Sequence, residues 1–158
     1  VYGPGDRRTF KLIKAIDKRR FILVSKGNIR QTPIYIQDLI QGILLCAEKG
    51  KSGEIYHLAG REALTVREIV ETISSVTGKK IPACSLPLPP VKLAAWTMEK
   101  IFSLFKKEAP LTPSKLSFFI HPKPLSIQKA EQLGFSPGTD FKKGMEMTVF
   151  WYKEQGWL

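Results

Sequence analysis

Few side chains in this sequence have the type and spacing that a catalytic centre or a metal site requires. His57 and His121 are the only two histidines, and neither has a neighbour at metal-ligand spacing. We interpret His57, which lies in a run of apolar residues, as a hydrogen-bonded structural side chain. His121 is either structural or part of a pocket wall. Cys46 and Cys84 have no nearby histidine that could form a thiolate pair, so we expect two buried, inert thiols.

The motifs of nicotinamide chemistry do not occur either. The sequence contains no G-x-G-x-x-G, no G-x-x-G-x-x-G and no P-loop, so it offers no glycine cradle for a pyrophosphate. None of the four tyrosines is followed four residues later by lysine, which excludes a lysine-assisted phenolate base on one helix face. We interpret Asp38, at a predicted helix start, as a cap rather than a catalytic acid. The sequence therefore predicts no catalytic residue and no metal ligand in this chain itself.

Composition narrows the classes of protein that remain. A length of 158 residues suits one domain, and 43% hydrophobic with 25% charged residues is typical of a globular chain. No apolar run approaches the ~18 to 20 residues of a membrane-spanning helix. Two lone thiols favour a reducing compartment, so we expect a cytoplasmic protein.

The charge is strongly positive, with 25 Lys and Arg against 14 Asp and Glu, a net +11. The cations are spread along the chain, mostly near predicted helix ends, where they complement the helix dipole. No zinc-finger spacing or aromatic RNA-binding signature is present, so we predict no nucleic-acid partner. An anionic substrate or a peripheral contact with a membrane surface would also use this charge.

Strand and helix patterns alternate in the first half of the chain, and the second half is mostly helical. This alternation favours crossovers onto a parallel sheet, but only residues 1–2 and 55–58 look like members of one. We therefore expect the missing strands upstream, in a larger protein. We interpret 1–78 as the end of a sheet with crossover helices and the start of a second lobe, and 79–158 as the mostly helical remainder of that lobe, the two forming one fragment rather than independent domains. The predicted strands are 1–2, 21–24, 34–36 and 54–58; the predicted helices are 7–18, 38–48, 65–77 (opened by a Thr65–Glu68 capping box), 91–107, one beginning at Pro113, 127–133 and one capped by Asp140.

Four segments, in this order, resemble the C-terminal part of an extended short-chain dehydrogenase/reductase of the NAD-dependent epimerase/dehydratase family. Each segment alone is a weak motif, but together they cover nearly the whole chain. They are V-Y-G-P-G-D at 1–6, I-Y-I-Q-D-L at 34–39, G-E-I-Y-H-L-A-G at 53–60 with T-V-R-E-I at 65–69, and K-A-E-Q-L-G-F-S-P at 129–137 followed by Gly144 and Trp151-Tyr152.

The resemblance implies an α/β fold: the C-terminal portion of a Rossmann-type NAD(P)-binding fold plus a mostly helical substrate-binding lobe. The N-terminal half of such an enzyme holds NAD or NADP and a Ser/Thr-Tyr-Lys catalytic set, and the whole enzyme is expected to be a homodimer. The resemblance also implies a cofactor contact, mainly through backbone, at Val1, Tyr2 and Gly3. The implied substrate contacts are Arg7, Arg8, Arg30, Ile34, Tyr35 and His121.

The substrate class stays open between alternatives. The family implies a nucleotide sugar, epimerised or dehydrated by transient hydride transfer. However, Gln31 stands where such enzymes commonly carry a diphosphate-binding arginine, and Ser126 stands where an aspartate is common. The 91–107 helix is apolar on two sides, so it is either doubly buried or faces a lipid or hydrophobic substrate. The alternatives are therefore a reductase of a bulky apolar alcohol or ketone, of 3β-hydroxysteroid or dihydroflavonol type, and a non-catalytic interaction module.

Overall fold

The computed structural model describes residues 1–80, 85–104, 109, 111–122 and 125–158. Within them the helices are α1 (Arg7–Asp17), α2 (Ile36–Lys49), α3 (Val66–Thr77), α4 (Leu88–Leu104), α5 (Pro113–Ile120), α6 (Gln128–Glu131) and α7 (Phe141–Glu154). The strands in the same residues are β1 (Leu23–Val24), β2 (Arg30–Gln31), β3 (Leu64–Thr65) and β4 (Ser85–Leu86).

Capping residues set several of these helix boundaries. The Asp6 carboxylate accepts hydrogen bonds from the backbone N–H groups two and three residues later, each at 3.0 Å, and α1 begins there as predicted. Thr65 and Glu68 form the predicted reciprocal capping box of α3. Gly78, with φ of 69°, ends α3 in the left-handed conformation that glycine adopts without strain. The sequence predicts these helix boundaries correctly because each depends on residues that are close in sequence.

Other boundaries differ from the predictions. Helix α2 begins at Ile36, two residues before the predicted start, and α6 spans only four of the seven residues in 127–133. Helix α4 begins at Leu88 rather than 91. Its predicted end at 107 lies outside the described residues.

The largest buried cluster lies where α1, α3 and α7 pack together, so residues from both predicted segments, 1–78 and 79–158, share one core. Tyr152 is fully buried in it, and its hydroxyl donates to the backbone carbonyls of Asp6 (2.6 Å) and Gly3 (3.3 Å). Burial, and then the nearby Asp6 charge, raise the pKa of Tyr152 to about 12. The fully or nearly fully buried apolar side chains of this cluster include Ile13, Ile16, Val66, Val70, Ile73, Met145 and Val149.

The strands pair differently from the prediction. Tyr2 makes only a single parallel bridge, with Tyr35, because Ile36 already belongs to α2. The predicted strand over 54–58 is wrong for the described residues: it has no assigned partner strand there, and Ile55 is largely exposed. His57 in the same segment is exposed, so the expected structural role inside a strand is not observed.

Two short ladders that the periodicity did not predict occur instead. Strand β2 pairs antiparallel with β3, and β1 pairs parallel with β4. Each ladder joins segments more than thirty residues apart. A strand of two residues is too short to show an alternation of apolar and polar side chains, so the sequence pattern does not predict these strands.

Long-range contacts join the segments that carried the family resemblance. Ile34 packs with Ala130 and Phe135 in a second buried cluster. The Lys129 ammonium forms an ion pair with Glu54 and lies 5.0 Å from the centre of the Tyr56 ring. The closing motif thus anchors the irregular 53–60 segment against the rest of the fold.

Candidate functional site

The predicted cofactor-contacting residues lie at the N-terminal edge of α2. Tyr2 is buried between Tyr35 and Phe141, with ring centroids 5.6 and 5.0 Å away. Gly3, at φ of 154°, lies so close to α2 that a Cβ there would meet the Ile36 side chain at 2.5 Å. A side chain at this position would push the turn away from α2, which explains the glycine.

Within residues 1–3 only Val1 is exposed: Tyr2 and Gly3 are buried, and the Tyr2 backbone and the Gly3 carbonyl already form hydrogen bonds inside the fold. Val1 is exposed, whereas the Tyr2 hydroxyl points inward and lies 3.5 Å from the Phe141 carbonyl oxygen. Burial, followed by the charges of Asp38 and Asp140, raises the pKa of Tyr2 well above its usual range. The Tyr2 side chain is therefore a neutral phenol with a structural role. A contact between the backbone of residues 1–3 and the cofactor stays a prediction.

Arg7 and Arg8 lie in the first turn of α1, and both are exposed. Within the described residues no carboxylate forms an ion pair with either guanidinium. The Asp6 cap and the Tyr152 hydroxyl fix this turn next to Gly3. The two cations are therefore available to an anion beside the Val1–Gly3 turn.

Ile34 and Tyr35 need a correction, because the structure buries both side chains. Ile34 belongs to the cluster with Ala130 and Phe135, and Tyr35 packs on Tyr2 in the main core. Burial, and then Asp38, raise the pKa of Tyr35. Neither side chain can reach a substrate directly, although the backbone here holds the Val1–Gly3 segment: Tyr2 N–H donates to the Ile34 carbonyl at 3.0 Å.

The structure brings Arg30 and Gln31 of β2 together with His121, which follows α5. The Gln31 amide nitrogen donates to the His121 carbonyl at 3.0 Å, and the Gln31 side chain is buried. Arg30 and His121 are both exposed beside this contact. Gln31 was noted in the sequence only as a departure from the family pattern; its contact with residue 121 joins segments 90 residues apart and has no local signal.

Asp38 has a role that the sequence did not predict. Its carboxylate is buried and accepts backbone N–H bonds from Gly138 (3.3 Å) and Thr139 (3.0 Å). It is thus neither a cap for its own helix nor a free acid, but ties the 137–140 loop to α2. Beside this loop lies a cavity of about 130 Å³, bounded by residues 60–62, 137–141, Pro33 and Leu64.

Two further observations bear on the chemistry. In the part of the chain that the structure describes, no group of three or more His, Cys, Asp or Glu side chains could hold a metal ion. No helix there is long and apolar enough to cross a membrane. Cys46 is partly buried, and Cys84 lies outside the described residues.

Comparison with known proteins finds no matching family profile, but several curated relatives. The uncharacterized protein YbjS of Escherichia coli K12 is 27% identical over all of this chain and 49% of its own length. A 4-hydroxy-2-methyl-3-oxo-4-farnesyl-3,4-dihydroquinoline-1-oxide ketoreductase of Stigmatella aurantiaca is 22% identical over 92% of this chain and 45% of its own. An N-acetyl-α-D-glucosaminyl-diphospho-ditrans,octacis-undecaprenol 4-epimerase of Escherichia coli O157:H7 is 20% identical over 94% of this chain and 46% of its own.

Solved structures match this chain over a similar share of their own length. The crystal structure of gox2253 has a TM-score of 0.72 and 24% identity, covering 99% of this chain and 47% of that one. The Bacillus cereus UDP-glucuronic acid 4-epimerase in complex with NAD has a TM-score of 0.66 and 20% identity, covering 98% and 42%. The chain spans about half the length of the proteins it matches. The predicted fold, the C-terminal portion of a Rossmann-type fold with its helical lobe, is confirmed.

Proposed function

We propose that this chain, which resembles the C-terminal part of extended short-chain dehydrogenases/reductases over its whole length, supplies the substrate-binding part of an NAD(P)-dependent enzyme. The family resemblance is confirmed by relatives and structural neighbours that are named as epimerases and dehydratases, one of them solved in complex with NAD. The observation that carries the proposal is the coverage: nearly all of this chain superposes on less than half of each of the two solved chains.

The remaining half would hold the cofactor and the reacting groups. Hydride transfer needs a bound nicotinamide and an acid–base group, and this sequence has neither a glycine cradle nor a Tyr-x-x-x-Lys pair. Exposed apolar side chains on α2, namely Ile40, Ile43 and Leu44, together with Ile55, offer a surface for that half to cover. Residues 1–3 would then face NAD or NADP through backbone groups.

The first candidate substrate is a nucleotide sugar, epimerised or dehydrated by transient hydride transfer. Arg7, Arg8 and Arg30 are exposed, and guanidinium groups bind diphosphate oxygens in bidentate fashion. In this proposal Arg30 contacts the diphosphate, and His121 lies in the adjoining wall. Several relatives and structural neighbours are named for nucleotide-sugar substrates.

The second candidate is an apolar or isoprenoid-bearing alcohol or ketone. The buried Gln31 amide bonds to a backbone carbonyl, so it adds no charge at a position where nucleotide-sugar enzymes commonly have arginine. Two relatives with nearly complete coverage of this chain are named for substrates that carry farnesyl or undecaprenyl groups.

A cytoplasmic location and a homodimer of the full-length protein complete the proposal.

Steady-state kinetics on the full-length protein separate the two candidates, with NAD supplied for UDP-sugars and NADH or NADPH supplied as the hydride donor for farnesylated ketones. For a nucleotide sugar, Arg30→Ala should raise KM by about 10- to 100-fold, the value of one charge-assisted phosphate contact, with kcat little changed. Arg20→Ala, an exposed arginine beyond the end of α1, is the matched control. Turnover of the ketone alone would favour the second candidate, and failure to bind NAD or NADP would refute the proposal as a whole.

A further inference from the structure

Helix α4 has one packed face and one exposed face, both apolar. Val91 and Ala95 pack inward in a cluster with Leu116 of α5. On the outer side, Leu93 and Trp96 are 64% and 54% exposed. The sequence left open whether this helix is doubly buried; among the described residues its second side is uncovered.

The exposed side chains share one continuous stripe. At 100° per residue, Leu93, Trp96 and Ile101 fall within an arc of about 140° and span about 12 Å of helix axis. Ile101 is 53% exposed. Thr97 lies on the same arc, but its hydroxyl donates to the carbonyls of Leu93 (3.1 Å) and Ala94 (3.0 Å). The stripe can therefore enter an apolar environment without leaving that hydroxyl unpaired.

The charges on and beside this stripe are mainly positive. Lys92 and Lys100 are exposed, and within the described residues no carboxylate forms an ion pair with either. Glu99, on the far side of Lys92, is the single acid of α4. Long lysine stems lie along apolar surface while the ammonium group reaches polar headgroups. Tryptophan is enriched at the boundary between headgroups and acyl chains.

We propose that the outer face of α4, formed by Leu93, Trp96, Ile101, Lys92 and Lys100, binds the surface of an anionic lipid bilayer. The helix would lie parallel to the surface, its apolar stripe in the headgroup region and its lysines against lipid phosphates. Charge complementarity favours this occupant over a second copy of the chain, because each copy carries a net +11 and would bring like charges together. The inference stands on α4 alone and does not depend on the proposed reaction.

Cosedimentation of the full-length protein with vesicles tests the proposal. Vesicles of phosphatidylglycerol and phosphatidylcholine should bind the protein, with binding weakened by high salt, whereas phosphatidylcholine alone should bind it far less. The double variant Leu93→Ser/Trp96→Ser should reduce the bound fraction about tenfold. Lys92→Glu/Lys100→Glu should abolish the preference for anionic lipid.

A matched control uses another exposed apolar residue. Phe150 of α7 is 62% exposed, close to the 64% of Leu93, so Phe150→Ser should leave vesicle binding unchanged. Circular dichroism verifies that every variant is folded. If Leu93→Ser/Trp96→Ser unfolds, Lys92→Glu/Lys100→Glu still tests the proposal. The proposal is overturned if wild-type protein stays in the supernatant, if the α4 variants bind like wild type, or if the α4 face instead mediates a dimer in sedimentation velocity.

Discussion

Asp38→Ala should destabilise this fold far more than loss of an ordinary surface carboxylate. The Asp38 side chain is 5% exposed and holds two backbone N–H groups of the 137–140 loop. Alanine would remove the acceptor of both backbone N–H groups, and would remove a negative charge from the first turn of α2. The loop would then separate from α2, together with the start of α7.

The geometry sets the expected size of the effect. Each hydrogen bond to a charged acceptor contributes about 1.5 to 3 kcal/mol, and the longer bond, to Gly138 at 3.3 Å, belongs at the low end. We therefore expect Asp38→Ala to lower the free energy of unfolding by about 3 kcal/mol. Asp38→Asn keeps one acceptor oxygen, so its cost should be about half as large.

Urea denaturation followed by circular dichroism and by tryptophan fluorescence measures both values. Trp151, in the last turn of α7, and Trp157, just after the helix, pack against the main core and report on its unfolding. Asp17→Ala is the matched control, since Asp17 is partly exposed and its ion pair with Lys79 spans 3.8 Å; we expect a change within about 0.5 kcal/mol. Equal costs for Asp38→Ala and Asp17→Ala would refute this account of the loop.

Three further predictions concern stability. Gly60→Ala should cost about 2 to 3 kcal/mol in urea denaturation, because its Cβ would overlap the Pro33 carbonyl oxygen; a neutral result would contradict that close approach. Thr65→Ala should cost about 1 kcal/mol by breaking the capping box, whereas Thr65→Ser should cost little. Because the pKa of Tyr152 is raised from 10.0 to about 12, stability should be unaffected by this group below pH 10 and fall as pH rises toward 12. Tyr152→Phe should make that fall shallower in denaturation at several pH values, and an unchanged slope would refute the assignment.

The features that the sequence predicted well are those determined over a few residues. Asp6, the Thr65–Glu68 pair and Gly78 each act on backbone groups one turn away or less, so residue type at a fixed spacing is enough to place them. The family resemblance reached further because it used the order of four such segments along the whole chain.

The features that the sequence missed depend on segments brought together by folding. The 30–31 and 64–65 ladder joins two-residue strands, which are too short for alternation to be visible. Asp38 stands at a plausible cap position, and only the arrival of the 137–140 loop reveals its real partners. The contact between Gln31 and His121 is of the same kind. The candidate ligand-binding residues are therefore the feature least predictable from the sequence. Ile34 and Tyr35, which the resemblance placed near the substrate, are buried in the structure.

Exposed apolar side chains occur on both α2 and α4, but the polar residues beside them differ. The α2 stripe of Ile40, Ile43 and Leu44 is flanked by glutamines, and its single lysine is at the last position of the helix. Another apolar protein surface can cover a stripe that has no charge at its centre, because no cation is then buried without a partner. The α4 face instead carries two lysines among its apolar residues, and burying these against an apolar surface would be costly. The same exposure is therefore compatible with the two different partners that we propose: the cofactor-binding half for α2, and an anionic, hydrated lipid surface for α4.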